Sequence, residues 1–576
     1  MLTRARSCGV PATGLTQDSV RGMMRPPALR GEVFHSGRAM PADRLFVNAT
    51  FHTLDARNSV VQAMAVDGDR IVATGSLDAM RARFGRTARQ IDLGGRTVVP
   101  GIVDAHSHMS AVGDHALYSA DLNAPPMGGV HCIDELIDAL REHAALPECG
   151  EWILGHGYDD TLLEEGRHPN CADLDMVSRD RPVVITHISG HFLAANSAAL
   201  ARAEISQASA APEGGVIRRN PDGSPDGVLE ENAMLAVLRL QPRREPEERL
   251  RAIEHGAREY LRLGITTAQD GNVATSGLLD YDAAYAAGRL QIRVVPWPAF
   301  RGLGALLEKR VQISAPPEWV KLGAIKLFAD GSIQGFTGHL CCPYHMPYHG
   351  DADYRGYAAM PLDSLKAQVA KVIESGMQVA VHANGDAAIG AFLDAVEAAR
   401  QQGLTPSAPP IVVHAQMTRD DQLDRMLELG VEPSFFVLHT YYWGDRHRDI
   451  FLGPERARRI SPARSALERG LRFTLHTDSP VTPMDPWLLI WSAVNRRTTS
   501  GEALGPEQRL TPLQALRATT IDSAGQLGIG ADRGSLEPGK LADFAVLDRD
   551  PLQIERDALR DVRVLSTYVG GKRIAR

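Results

Sequence analysis

The chain has 576 residues, 44% of them hydrophobic and 23% charged, the balance of a globular protein rather than a disordered one. Sixty-two basic side chains against seventy acidic ones leave a formal charge of −8, which argues against the concentrated basic face of a nucleic-acid binder. No stretch approaches the roughly 20 apolar residues of a membrane span. The composition therefore reads as a large soluble enzyme, with neither nucleic acid nor membrane as partner.

Residues 1–42 are rich in Arg, Gly, Pro and Ser and carry no hydrophobic periodicity, so they are expected to form a disordered extension, with Met40 as an alternative start. Order is expected from Asp43. LFVNATFHTL and VVQAMAVDGDRIVATG alternate apolar and polar residues, and Asp67-Gly68 is a hairpin signal. The far end repeats the style in GSLEPGKLADFAVLD and VRVLSTYVGGKRI, with a turn at Gly570-Gly571. Residues 43–98 and 535–576 are thus read as two parts of one small composite β-sandwich domain.

Between them, residues 99–534 alternate short apolar strands with amphipathic helices, which favours an α/β chain folded as a (β/α)8 TIM barrel over an open doubly wound sheet. Periodicity yields about ten candidate strands, among them TVVPGIVDA, WILGHGYD, PVVITHI, VKLGAIKLFA, MQVAVHA, PPIVVHA and LRFTLHT, so at least two must lie outside the barrel. LDSLKAQVAKVIESG and AAIGAFLDAVEAARQQG read as helices closed by glycine. EGGVIRRNPDGSPDGVL, with two Asp-Gly pairs, predicts a β-hairpin inserted near 213–230.

Six cysteines, at positions 8, 132, 149, 171, 341 and 342, include no C-x-x-C pair. They read as idle thiols of a reducing, cytoplasmic compartment rather than a disulfide scaffold or zinc ribbon.

Chemistry-bearing residues gather at strand ends. GIVDAHSHM sets His106 and His108 two residues apart, on one face of an extended strand. AVHAN, VVHAQ and TLHTD end on His382, His414 and Asp478, and AIKLFADGS carries Lys326 inside an apolar run. In a parallel barrel these ends converge on one rim. Each residue alone has a plainer reading: a satisfied core histidine, a lysine that snorkels to solvent, an aspartate capping a turn. A metal site accounts for all of them with one cause.

The ordered set PGIVDAHSH, IKLFADGS, VHANGD, VVHAQ and HTDSPV resembles the amidohydrolase superfamily, and within it amidohydrolase family 3, the N-substituted formamide deformylases and related hydrolases. SGHFLAANSAAL resembles that family's GH…N..AL stretch, and GSLEPGKLADFAVLD its closing β-domain, so the resemblance runs from about Asp43 to Arg576. It implies a binuclear metal centre. His106 and His108 would bind one ion with Asp478, His382 and His414 the other, and a carboxylated Lys326 would bridge them. Zinc suits these donors best, with manganese, iron and cobalt as alternatives. A metal-activated hydroxide would attack a carbonyl, while Asp478, as general base and then acid, passes the proton to the leaving nitrogen. The implied activity is metal-dependent hydrolysis of a non-peptide carbon–nitrogen bond in a small-molecule amide.

Many relatives carry Gly-Ser-Asp where this chain has His476-Thr477-Asp478, and His476 shares a strand face with Asp478. The resemblance makes His191 a candidate substrate contact, ahead of nearby His187. Tyr441, Tyr442 and Trp443 offer a substrate wall or simple packing, and Asp386 an N-cap. Cyclic-amide hydrolysis, as in hydantoinases, would use the same ligands. A deaminase would place a glutamate soon after His382, where the chain reads Ala-Asn-Gly-Asp. A non-catalytic metal-binding protein would have lost a ligand. A homodimer is common among relatives.

Overall fold

Alternation at the two ends of the chain becomes one eight-stranded sheet in the computed structural model, which describes residues 41–575. Apart from its last two residues, the expected extension 1–42 lies outside the described residues. The strand Arg44–His52 pairs in parallel with Arg89–Pro100, which pairs antiparallel with Phe544–Leu547. The rings of Phe46 and Phe544 meet edge to face at 5.0 Å, and Phe544 stacks on Tyr568 at 4.4 Å, so aromatic packing joins the two termini. Gly68 (φ +59°) turns Ala63–Asp67 into Arg70–Gly75, and Gly570 and Gly571 (φ +56° and +67°) turn Val564–Val569 into Lys572–Arg573.

TVVPGIVDA is not one strand. Arg89–Pro100 runs to Pro100 in the terminal sheet, and after Gly101 a separate pair, Ile102–Val103, enters the middle of the chain. The break requires glycine, because a Cβ at Gly101 would come within 2.0 Å of Thr266 Oγ1.

Eight of the candidate strands fall into two all-parallel sheets. Ile102–Val103, Ile265–Val273 and Arg293–Pro298 form a three-stranded sheet, and Ile325–Phe328, Val379–Ala383, Ile411–His414, Glu432–Phe435 and Thr474–Leu475 a five-stranded one. Parallel bridges Ala299↔Lys326 and Val294↔Val320 join the two sheets. At the other side Asp478 N–H donates to His106 O (3.2 Å) and His108 N–H to Ser479 O (2.7 Å), tying the chain after the last strand to the chain after the first.

The two surplus candidates, Ile153–Tyr158 and Val183–His187, belong to a separate six-stranded mixed sheet. That sheet also takes up Gly215–Arg219 and Pro225–Glu231, an antiparallel pair within the stretch read as a hairpin, with Pro225–Glu231 bonded to Phe192–Ala195. The insertion is thus a sheet in its own right, over its own apolar cluster around Leu136, Leu140 and Ile185.

Helices Leu362–Glu374 and Asp386–Gln401 bury one face each, Leu365, Val369 and Val372 on the first, Ile389, Phe392 and Val396 on the second. Left-handed Gly376 and Gly403 follow their ends. Fully burying a side chain such as Phe392 contributes about 1.5–3 kcal/mol. Asp386 is not the N-cap. Gly385 holds that position, and Asp386, inside the helix, accepts from Cys341 N (2.9 Å) and pairs with Arg419 (3.1 Å). Among the described residues, no helix is long and apolar enough to cross a membrane.

Candidate metal centre

Because the middle strands are parallel, their C-terminal ends lie on one side, and register brings the polar residues of neighbouring strands together. Phe328 pairs with His382 and Ala383 with His414, while Lys326 sits two residues deeper than Phe328, opposite Ala380. His106, His108 and Asp478 arrive from the segments that follow the first and last strands. Lys326 Nζ is 2.9 Å from His106 Nε2. Asp478 Oδ1 is 3.5 Å from Nε2 of both His106 and His108, and its Oδ2 is 4.0 Å from His414 Nδ1. His382 and His414 face each other with ring centroids 4.5 Å apart. All six residues expected to act together therefore line one cavity of about 270 Å³.

Each imidazole has one nitrogen held from behind. His106 Nδ1 meets Gln269 Oε1 (2.8 Å), His108 Nδ1 Gly271 O (3.0 Å), His382 Nε2 Gly331 O (3.0 Å) and His414 Nδ1 His476 Nε2 (3.1 Å). Such bonds fix ring orientation and tautomer and leave the other nitrogen as the donor. Asp478 Oδ1 is buried with no hydrogen-bond partner. Nitrogen donors facing an orphaned buried carboxylate oxygen fit a divalent cation. His414 and Asp478 both have left-handed backbones (φ 72° and 56°), strain of about 1–3 kcal/mol each that the surrounding fold must hold.

Electrostatics agree with ligand chemistry. Burial holds His106, His382 and His414 well below the usual imidazole range, with Lys326 and neighbouring imidazoles adding to the effect, so all three are neutral lone-pair donors at pH 7. Burial pushes the Lys326 amine down to about 7 against the opposing pull of Asp478. For Asp478 burial works against the charge, but His108, His106 and His476 outweigh it and keep the carboxylate ionised.

His191 lines the same cavity, its Nδ1 2.9 Å from Glu231 Oε2; burial disfavours its charged form, but Glu231 outweighs this and raises its pKa. His187 also lines it, bonded through Nδ1 to Ser189 Oγ (2.8 Å). Tyr442 and Trp443, read as a substrate wall, do not line this cavity. Trp443 is fully buried and its indole N–H donates to Asp159 Oδ2 (3.1 Å), so the aromatic loop packs against the end of the mixed sheet. His476 lies behind His414 rather than in the cavity.

The sequence does not single out the residues that steady the cavity's side chains: Gln269 behind His106, Asp330 at the turn after His382, Ser434 behind His476 and Glu231 behind His191. Gln269, a fully buried amide inside the apolar run ITTAQD, left a signal there. Asp330 follows the Lys326 strand and accepts from the backbone N–H groups of His339, Asn384 and Gly385 (2.9, 2.9 and 2.7 Å), fixing the turn after His382; burial raises its pKa to about 7. Asp159, Asp160 and His187 form a second cluster of ligand-type groups. There Asp159 is taken by Arg446 (2.8 Å) and Trp443, and Asp160 by His187 (3.1 Å) and His168 (3.5 Å), an ion-pair network rather than a cation site.

Comparison with known proteins agrees with this geometry. The N-substituted formamide deformylase of Arthrobacter pascens is 31% identical over 542 residues, covering 92% of this chain and 97% of that protein. An uncharacterised metal-dependent hydrolase of Pyrococcus horikoshii superposes with a TM-score of 0.72 at 26% identity, covering 89% of this chain and 99% of its own. One from Pyrococcus furiosus gives 0.70 at 26%, covering 88% and 100%. Residues 89–575 match the amidohydrolase family. With residues 89–575 matching the family and 92% of its length aligned to the Arthrobacter pascens relative, the chain belongs to the amidohydrolase family and is a metal-dependent hydrolase of carbon–nitrogen bonds.

Proposed function

We propose that this enzyme hydrolyses the amide bond of a small, neutral N-substituted amide at a binuclear centre, with N-formyl amines the first class to test. The observation that carries this reading is the convergence of His106, His108, Lys326, His382, His414 and Asp478 on one cavity. The eight parallel strands would close as the (β/α)8 barrel that presents them, with the terminal sheet as the composite β-domain beside it.

His106, His108 and Asp478 would hold one ion and His382 and His414 the second, with zinc the best match to imidazole and carboxylate donors. Lys326 would bridge them as a carbamate. Its buried amine, with a pKa near 7, keeps a large neutral fraction whose lone pair adds to carbon dioxide with release of a proton. That converts a poor ligand into two anionic oxygens. Bound ions would supply Lewis acidity, activating a water and polarising the substrate carbonyl.

The chain's own residues do the rest. Asp478 takes the water's proton on its unpartnered Oδ1 and returns it to the leaving nitrogen, which must be protonated because an amide anion is too basic to depart. His191, whose ring lies beside that of His382, would contact the substrate from the cavity lining. Beyond the ligands, the lining includes Ala111, Ile188, Phe328 and Val481 and holds no lysine, arginine or carboxylate other than Lys326 and Asp478, which suits an uncharged substrate, and the Arthrobacter pascens relative is named for N-substituted formamides.

Elemental analysis of purified enzyme, together with amine release from N-formyl, N-acyl and cyclic amides, tests the reading. We expect close to two metal equivalents per chain and turnover of an acyclic N-formyl or N-acyl amine, with Asp478→Asn folded but inactive. Active enzyme free of metal would sink the proposal.

A further inference from the structure

Glu231 is a buried acid beside the cavity that the reaction proposed above does not use. It ends the strand Pro225–Glu231, whose antiparallel pairing with Phe192–Ala195 sets Glu230 opposite Phe192 and so brings Glu231 beside His191. Two hydrogen bonds join them. Glu231 N–H donates to His191 O (2.9 Å), and His191 Nδ1–H donates to Glu231 Oε2 (2.9 Å). Glu231 has a left-handed φ of 47°, a conformation that a side-chain-bearing residue keeps only where its surroundings over-determine it.

The carboxylate is also wedged against the turn that supports a metal-ligand candidate. A Cβ on Gly331 would come within 2.1 Å of Glu231 Oε1, and Gly331 O is the acceptor for His382 Nε2. The His191 ring lies over His382, centroids 5.1 Å apart, and lines the cavity. Glu231 Oε1 is itself buried without a hydrogen-bond partner, so the carboxylate is oriented by His191 and the backbone alone.

We infer that Glu231 is a positioning residue for catalysis: by accepting Nδ1–H it fixes the tautomer and plane of His191, so that Nε2 is the atom presented to the substrate amide. An imidazole without this bond could flip about its ring torsion and exchange which nitrogen carries the proton. The inference rests on the amide-hydrolase reading for its kinetic arm and on the structure alone for its spectroscopic one.

The test compares Glu231→Ala, Glu231→Gln, His191→Ala and the double variant Glu231→Ala/His191→Ala as metal-loaded enzymes. Glu231→Ala should lower kcat about 100-fold, the cost of a reacting group misplaced by about an ångström, while KM moves less than about threefold. Metal content should stay at the wild-type level. Glu231→Gln, which keeps an oxygen acceptor, should recover most of the loss, and the double variant should be no slower than His191→Ala. Wild-type kcat in Glu231→Ala, or losses that multiply in the double variant, would overturn the inference. Nitrogen NMR of His191 in the wild-type enzyme should show the proton on Nδ1, and a proton on Nε2 alone would overturn it even where a variant fails to fold. A wild-type enzyme inactive on every amide would instead remove the proposed function and leave the NMR result to judge the dyad.

Discussion

Lys326 Nζ lies 2.9 Å from His106 Nε2, although 220 residues separate them and both side chains are sealed from solvent. A protonated amine there would face an imidazole lowered by the same burial, with Asp478 as its counter-charge. If Lys326 bridges the two ions as proposed, its loss tests the whole centre.

Lys326→Ala should therefore cost both ions rather than one. Metal analysis should fall well below one equivalent per chain, and activity by at least about 1,000-fold, in line with removing a group that positions the whole reacting assembly. A small carboxylate such as acetate or propionate should restore part of each by occupying the vacated volume with anionic oxygen. Full metal content in Lys326→Ala would show that this lysine is no bridge.

Gly271 has a different part. Its carbonyl holds His108 Nδ1, and a Cβ there would stand 2.5 Å from His106 Cε1 and 3.1 Å from His108 Cε1. Gly271→Ala should push both rings out of line, weakening metal binding about 10–100-fold and costing about 1–3 kcal/mol in stability from overpacking. Competition with a metal chelator and thermal melting measure the two effects separately. Unchanged chelator resistance would mean that the rings tolerate the displacement.

What the sequence made legible follows from range. His106 and His108 are two residues apart on extended chain, and His382, His414 and Asp478 each end an apolar run, so local periodicity exposes them. The residues that steady them are distant. Gln269 is 163 positions from His106, and Glu231 is 40 from His191 across a sheet whose pairing no local pattern specifies. The strands at Ile153–Tyr158 and Val183–His187 look like their parallel counterparts because a buried strand in either sheet is a short apolar run. Only the partner distinguishes them. Trp443 stayed open between a substrate wall and packing for a related reason: aromatic residues in a loop carry the same signature whether they meet a substrate or, as here, a buried aspartate.

That aspartate supports a stability prediction. Asp159 and Arg446 pair at 2.8 Å, nearly buried, and Arg446→Ala should cost about 3–5 kcal/mol by removing the guanidinium that balances a buried carboxylate. Burial raises the Asp159 pKa, but Arg446 and His187 outweigh it and set it below the ordinary carboxylate value. The unfolded chain therefore takes up the proton first as pH falls. The pair's contribution is complete above about pH 4 and is lost below it. Denaturant melts should show a wide gap between wild type and Arg446→Ala at pH 7 that narrows toward pH 3. A gap independent of pH would mean that packing of the Arg446 side chain, rather than its charge, is what the variant loses.

The last prediction concerns proton order behind His414. His476 Nε2 is 3.1 Å from His414 Nδ1, His476 Nδ1 is 2.8 Å from Ser434 Oγ, and Ser434 and Thr474 hydroxyls are 2.8 Å apart. Thr474 Oγ1 is in turn 2.8 Å from Gln526 Oε1. Gln526 Nε2 faces Pro433 O and Glu432, so its oxygen must be the end turned to Thr474, and an amide oxygen only accepts. With that end fixed, Thr474 donates to Gln526, Ser434 to Thr474, His476 Nδ1–H to Ser434, and His414 Nδ1–H to His476. His414 Nε2 is then left as a bare lone pair, the form a metal ligand needs. His476→Ala removes the acceptor for the His414 proton and should weaken metal affinity about 10–100-fold, whereas His476→Gln, which can offer a carbonyl oxygen to Nδ1–H, should recover part of it. Equal affinities for wild type and His476→Ala would show that His414 keeps its tautomer without this chain of donors.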